Sequence, residues 1–231
     1  TPGSANLVEV EAFCIDRTEV TVSDYAGCKS CDPAKHTVEF EGLTPNGRSF
    51  DSQFCNDDQA ADHPMNCVDW HEASRFCAVL GKRLPTESEW ELAARGATSR
   101  IYPWGNTPAS GERLNMCGPE CQGVLEHLKR SGNSAQQDQI SAAATTAVGS
   151  FPSGATPEGV FDLAGNVWEW TASSYCPYPF DANGDCGDSR RVLRGGGWDT
   201  LEIADVRAGR RYPAAPNARG KGVGFRCVKD P

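Results

Sequence analysis

Apolar residues recur at helical spacing in two neighbouring stretches of the chain. In the first, "VDWHEASRFCAVLGKR", the apolar positions are Trp70, Ala73, Cys77 and Leu80. Asp69 and Glu72 stand at its start with the spacing of a capping box, and Gly81 interrupts the pattern. The second, "LPTESEWELAARG", repeats this arrangement with Thr86 and Glu89 at its start and a glycine at its end. The sequence therefore predicts two consecutive helices.

Elsewhere the pattern favours short strands and long loops. Alternating or β-forming residues between turn residues predict strands at residues 8–15, 166–171, 191–195 and 224–228. The 24 glycines and 15 prolines interrupt most other segments before they reach helix length. Residues 117–159 are poor in aromatic side chains and are expected to form a long loop over the core. With 231 residues, one domain is favoured over two small ones.

The charge balance disfavours nucleic acid as a partner. The formal net charge is -9, so the overall field of the protein would repel a phosphate backbone. The sequence contains no run of about 18 apolar residues and does not open with a basic stretch followed by an apolar core. Neither a membrane span nor an attached signal peptide is therefore expected.

The chain contains 11 cysteines, and their spacing favours small disulfide-closed loops. The close pairs are Cys28 with Cys31, Cys117 with Cys121, and Cys176 with Cys186. Structural zinc is disfavoured because the C-x-x-C stretch has no second copy and the histidines lack the spacing of paired ligands. We expect an oxidising compartment, and the odd number leaves at least one cysteine without a partner within the chain.

Six motifs occur in order along the chain: "CIDRTEVTVSDY", "HPMNCVDWHEASRFCAVLGKRLPTESEWELAARG", "YPWGN", "GVFDLAGNVWEWTAS", "RVLRGGGW" and "GVGFRC". Together they resemble the sulfatase-modifying-factor family, whose namesake is formylglycine-generating enzyme. The resemblance covers nearly the whole chain. It implies a single domain over residues 1–231, with an α+β fold of little regular secondary structure that is related to the C-type lectin fold. It also implies an extracytoplasmic protein, whether secreted, periplasmic or surface-exposed.

The stretch "FDLAGNVWEWTAS" is similar to a calcium-binding loop of that family. The resemblance implies side-chain ligands from Asp162 and Glu169 and carbonyl ligands from Gly165 and Val167. Such a mixture suits calcium, which takes roughly six to eight oxygen ligands. An extended chain after the turn would place Val167 and Glu169 on one face and the two tryptophans on the other. The residues alone allow an alternative, in which Asp162 caps a turn, Glu169 meets an arginine and the tryptophans are core.

A second calcium site of the family is matched only in part. Its implied ligands are Asn115, the carbonyl of Met116, Asp138 and the carbonyl of Ile140. The alternative is that these are polar loop positions that face water.

The copper ligands of the family's enzymes are missing. Those enzymes oxidise a substrate cysteine to formylglycine with oxygen, and they hold copper with two cysteine thiolates after a G-G-S motif. Soft thiolates suit copper(I). In this chain Gly197 replaces the serine, Thr200 and either Ala204 or Asp205 stand near the liganding positions, and residues 187–226 contain no cysteine. We therefore expect no formylglycine-generating activity.

The resemblance also implies a disulfide between Cys77 and Cys227, which would join the last strand to an early helix and close a long loop. A further expected pair is Cys14 with Cys67.

The C-terminal part of the sequence carries a local excess of positive charge. From residue 187 onward, ten Lys or Arg stand against five Asp or Glu, a balance of +5, which leaves -14 for the first 186 residues. The residues expected to receive an acidic or carboxylate-bearing ligand are the arginines Arg194, Arg207, Arg210, Arg211 and Arg219, with the aromatic residues Trp198 and Tyr212. The alternative is that these arginines pair with the chain's own acids and that Trp198 is core.

These observations predict a non-catalytic, calcium-stabilised domain that binds a peptide, glycan or protein partner in the former active-site cleft. The alternative is an oxygen-dependent oxidoreductase on the same scaffold with a different metal centre.

Overall fold

The computed structural model describes residues 8–31, 55–56, 60–117, 144–177 and 189–231. Regular structure in these ranges consists of short helices and short strands joined by loops and turns. The α-helices are α1 (Val22–Ala26), α2 (Trp70–Val79) and α3 (Glu87–Arg95). No helix in the described ranges is long and apolar enough to cross a membrane.

Each of these helices begins with a capping box. At α2, the Asp69 carboxylate accepts a hydrogen bond from the Glu72 N–H, and the Glu72 carboxylate accepts one from the Asp69 N–H. Thr86 and Glu89 form the same reciprocal pair at α3. Both predicted helices are therefore confirmed. Helix α1 has a capping box at Thr21, but its five residues are too few to give a periodic apolar signal.

Six short strands form two sheets within the described ranges. They are β1 (Cys14–Ile15), β2 (Trp168–Ser174), β3 (Arg191–Arg194), β4 (Tyr212–Ala214), β5 (Val223–Gly224) and β6 (Val228–Lys229). The larger sheet has the order β4-β3-β2-β5, in which β5 is parallel to β2 and the other pairs are antiparallel. Strands β1 and β6 form the second, antiparallel sheet.

The predicted strands are found with changed boundaries. The strand expected at 191–195 is β3, the one at 166–171 is displaced to β2, and only the end of 8–15 forms β1. The prediction of one strand over 224–228 is wrong, because this segment is divided between the two sheets. Its start pairs with β2 and its end pairs with β1, so the chain must turn between them.

The main core lies between α1, α2 and the larger sheet. The Phe76 ring of α2 stacks on Tyr25 at 5.3 Å and meets the edge of Phe225 at 5.4 Å between ring centroids. A second cluster packs Trp90 of α3 against Leu163 and other buried side chains. Helix α3 thus supports the loops that carry the family motifs.

Two predicted disulfides are confirmed. Cys77 on α2 is bonded to Cys227, which stands 150 residues later in the chain, and Cys28 is bonded to Cys31. The first fixes the segment between β5 and β6 to the main core. The second closes a small loop after α1.

The expected pairing of Cys14 with Cys67 is wrong. Cys67 is bonded to Cys55, 12 residues earlier, and Cys14 is an exposed free thiol, alone among the described cysteines. Spacing alone could not exclude the wrong partner.

For each of the two remaining predicted disulfides, one cysteine lies outside the residues that the structure describes. Cys117 and Cys176 are disulfide-bonded. Their predicted partners, Cys121 and Cys186, lie outside the described residues.

Candidate functional site

Strand β3 leads into a tight glycine loop at residues 195–197. Gly195 and Gly196 have φ values of +97° and +77°, a region that L side chains rarely adopt. A Cβ atom on Gly197 would lie 2.8 Å from the carbonyl oxygen of Gly222 and 3.2 Å from Cδ1 of Trp168. A serine at position 197, as in the family motif, would therefore require the loop to shift.

The residues at the expected copper positions serve the local structure. The Thr200 hydroxyl accepts a hydrogen bond from the Gly197 N–H at 2.9 Å, and the Thr200 N–H donates to the Gly197 carbonyl at 3.0 Å. Asp205 forms an ion pair with Arg210 at 2.7 Å. In the described part of the chain, every cysteine except Cys14 is in a disulfide, so these residues offer no thiolate pair for copper(I).

The Asp199 side chain lies between Gly197 and Gly222, and its carboxyl interacts with the charge of Lys221. Burial raises the pKa of the Asp199 carboxyl, and the nearby charge of Lys221 opposes that shift. The Lys221 ammonium lies 4.8 Å from the ring centroid of Trp198, whose indole N–H donates to the Lys221 carbonyl at 3.2 Å. Trp198 is buried, so its indole supports the loop from inside.

The predicted ligand-binding residues lie in different environments. Arg211 donates to both carboxylate oxygens of Glu87, at 2.5 and 2.8 Å. Tyr212 is half-buried and packs at 5.6 Å from the Trp168 ring. Arg207 and Arg210 are exposed and line one cavity of about 490 Å³, which Trp198, Arg211 and Tyr212 do not line.

Two other arginines of the basic segment are buried among the chain's own acids. Arg194 bonds to Glu91 and donates to the carbonyl oxygens of Ala208 at 3.0 Å and Arg210 at 2.7 Å. Arg219 bonds to the two capping-box acids of α2. The expectation that these two arginines receive an external ligand is wrong, because both are buried and paired with acids of this chain, as the alternative predicts.

The implied calcium ligands Asp162 and Glu169 belong to a buried charged cluster. Glu169 accepts hydrogen bonds from the Arg226 guanidinium at 2.7 and 2.8 Å and from the Trp90 indole at 2.8 Å. Asp162 accepts a hydrogen bond from the Gly149 N–H at 2.6 Å. These contacts agree with the alternative given in the sequence analysis, in which Glu169 meets an arginine and Asp162 caps a turn.

The cluster nevertheless contains more acidic than basic side chains. Glu19 is also buried there, and its Oε1 has no hydrogen-bond partner. Burial, followed by the charge of Asp162, raises the pKa of Glu19 well above its usual value, and burial likewise raises the pKa of Asp162. Three acidic side chains, Glu19, Asp162 and Glu169, thus interact with the single guanidinium of Arg226. In the described ranges no three His, Cys, Asp or Glu side chains converge closely enough to hold a metal ion by themselves.

The implied second calcium site is described only in part. The Asn115 side-chain amide donates to the Ala144 carbonyl at 2.8 Å, and the Asn115 carbonyl accepts the Asn166 N–H at 2.8 Å. Met116 packs at the edge of a small apolar cluster. Asp138 and Ile140 lie outside the described residues, so this site stays a prediction.

Comparison with known families decides the relationship. The family model described as "Sulfatase-modifying factor enzyme 1-like domain" matches residues 3–231. The chain belongs to this family. The sulfatase-modifying-factor relationship and the α+β fold class expected from the motifs are therefore confirmed.

Relatives within the family differ in activity. The chain is 37% identical over 175 residues to an inactive C-alpha-formylglycine-generating enzyme 2 of Mus musculus, covering 71% of this chain and 48% of that protein. It is 35% identical over 180 residues to a formylglycine-generating enzyme of Streptomyces coelicolor, covering 73% and 53%. The chain spans about half the length of these relatives. Membership of the family does not by itself establish catalysis.

A solved structure has the same fold. PvdO from Pseudomonas aeruginosa superposes with a TM-score of 0.65 at 25% sequence identity, covering 95% of this chain and 80% of that one. This chain and PvdO thus share the fold over nearly the whole of this chain.

Proposed function

We propose that this chain is a non-catalytic binding domain of the sulfatase-modifying-factor family. The observation that carries the proposal is that the residues at the two positions where the family's enzymes hold copper are not cysteines and make contacts within the loop. Thr200 closes a turn with Gly197, and Asp205 is paired with Arg210. Neither side chain resembles a thiolate, and the loop that holds them is packed too closely for the family's serine. The existence of an inactive relative supports the same conclusion.

We further propose that calcium stabilises the domain at Asp162 and Glu169, with the carbonyl oxygens of Gly165 and Val167 as additional ligands. The support is the excess of acidic over basic side chains around Arg226 and the buried, unpartnered oxygen of Glu19. A divalent cation would favour the ionised forms of these acids, and mixed carboxylate and carbonyl oxygens suit calcium. Glu169 already holds three N–H donors, so Asp162 would be the more available carboxylate.

An extracytoplasmic location fits the cysteine chemistry. Eight of the described cysteines are disulfide-bonded, and such bonds persist in oxidising compartments. The proposed partner is a peptide, glycan or protein that carries acidic groups. The exposed arginines Arg207 and Arg210 are the side chains best placed to receive it.

The proposal is tested with copper(I) and a peptide that carries the cysteine motif of a sulfatase. An active formylglycine-generating enzyme of the family serves as the positive control under the same conditions. We expect no aldehyde in the peptide by mass spectrometry and no oxygen uptake above the protein-free rate. Aldehyde formation that depends on copper and on this protein would refute the non-catalytic proposal.

A further inference from the structure

The cavity beside the C-terminal end of α3 is lined by four arginines. They are Arg95, Arg100, Arg207 and Arg210. The cavity has a volume of about 490 Å³, and its lining within the described residues contains no acidic side chain. We propose that it binds an acidic peptide segment that presents carboxylates next to an aliphatic side chain. This inference rests on the proposed binding function and specifies its ligand.

The cavity wall is held in place from inside the protein. Fully buried Arg194 donates to the carbonyl oxygens of Ala208 and Arg210 and also bonds to Glu91. Glu91 in turn holds the Arg95 guanidinium at 2.6 Å. The Ala208 N–H donates to the Ile101 carbonyl at 3.0 Å, which ties the loop to the opposite wall. The arginines of the cavity are therefore presented by a fixed backbone, which lowers the entropic cost of binding.

The acids near these arginines leave positive charge available. Glu91 is shared between Arg95 and buried Arg194. Arg210 pairs with half-buried Asp205, and Arg207 has no ion pair with any residue that the structure describes. Arg100 pairs with Glu158 and lowers the pKa of that carboxyl, and it also donates to the carbonyls that end α3. Arg207 is thus the guanidinium most open to an external anion, and Arg95 and Arg210 can offer it the N–H donors that their own ion pairs do not use.

The remaining lining residues indicate which acidic ligand fits. Ile101 has 45% of its surface exposed and lies in the cavity wall with Ala204. Exposed aliphatic surface next to guanidinium forks suits a ligand with both an apolar side chain and carboxylates. A peptide meets both requirements, whereas a sulfated sugar offers anions without a matching aliphatic group.

The test uses a short fluorescent peptide of alternating aspartate and leucine, with binding followed by anisotropy. We expect Arg207→Ala and Arg210→Ala each to weaken binding by about tenfold, the loss typical for a hydrogen bond to a charged group. Arg207→Lys should recover only part of the affinity, because lysine keeps the charge and loses the fork. Replacing aspartate by asparagine, or leucine by serine, in the peptide should weaken binding as well.

The matched control is Arg75→Glu, which changes an exposed arginine on α2 that does not line the cavity. It should leave the affinity unchanged, while Arg207→Glu should abolish binding. Absence of peptide binding, equal binding by the Arg207→Ala and Arg210→Ala variants, or tighter binding of a sulfated oligosaccharide would each overturn the inference. These outcomes are separate from the copper assay. Copper-dependent peptide oxidation would remove the proposed function even if the arginines bind the acidic peptide.

Discussion

Replacing Arg226 with methionine should destabilise the fold by about 3–5 kcal/mol, because it leaves a buried carboxylate without its counter-charge. Arg226 is fully buried and donates four hydrogen bonds. Two go to Glu169, and the others go to the carbonyl oxygens of Phe161 at 2.8 Å and Asp16 at 3.1 Å. Methionine fills much of the volume but supplies neither charge nor donors.

The expected loss of stability follows from the contacts that Glu169 retains after the Arg226→Met substitution. Of the side-chain donors that the structure describes, Glu169 would keep only the Trp90 indole, in a cluster that also contains Glu19 and Asp162. A loss of about 3–5 kcal/mol is a large share of the roughly 5–15 kcal/mol that stabilises an ordinary domain. In the double variant with Glu169→Gln, the cost should be below the sum of the single costs by about 0.5–3 kcal/mol, because the two residues interact directly.

The assay is urea unfolding followed by tryptophan fluorescence, with oxidised protein in the presence of a chelator. Lys229→Met at the exposed end of β6 is the control and should change the free energy of unfolding by no more than about 0.5 kcal/mol. A cost for Arg226→Met below about 1 kcal/mol, with an unchanged denaturant slope, would refute the assignment of this cluster as a source of stability.

Three further variants test other parts of the structure. Replacing Cys77 and Cys227 together should lower the free energy of unfolding by up to about 5 kcal/mol, because their disulfide closes a loop with a sequence separation of 150. Urea unfolding of the oxidised parent and of the variant measures this difference, and an unchanged midpoint would contradict it. Gly197→Ser should cost about 1–3 kcal/mol through crowding against the Gly222 carbonyl, which thermal unfolding would show; a stability equal to that of the parent would mean that the loop has room. Burial raises the folded-state pKa of Asp199, so its contribution to stability should weaken as pH rises from about 4 through that pKa. Asp199→Asn should flatten this part of the curve of stability against pH, and an unchanged curve would contradict the shift.

Local sequence signals predict the helices because their determinants are local. The capping boxes at Asp69 and Thr86 involve residues three positions apart, so the sequence displays the whole interaction. The same kind of signal is present at Thr21, where the helix is too short for its apolar residues to show a period. Strand boundaries are harder to predict from local sequence. The break between β5 and β6 arises because β5 pairs with β2 and β6 pairs with β1, and both partners are distant in the chain.

The charge composition locates the basic segment, but it does not predict which of its arginines are buried in ion pairs and which are exposed. Arg194 and Arg219 find their acids on α2 and α3, roughly 100 residues or more away in the sequence, and become part of the core. Arg207 and Arg210 stay exposed, and the cavity that they share with Arg95 and Arg100 arises only from the packing of a loop against the end of α3. No spacing rule connects those four positions.

The most direct test of the central claim is elemental analysis of the protein purified without chelators. We predict calcium in stoichiometric amount, lost when Asp162 is replaced by alanine, with copper and iron at background. Stoichiometric copper or iron would contradict the account and would favour an oxidoreductase with another metal centre on this scaffold.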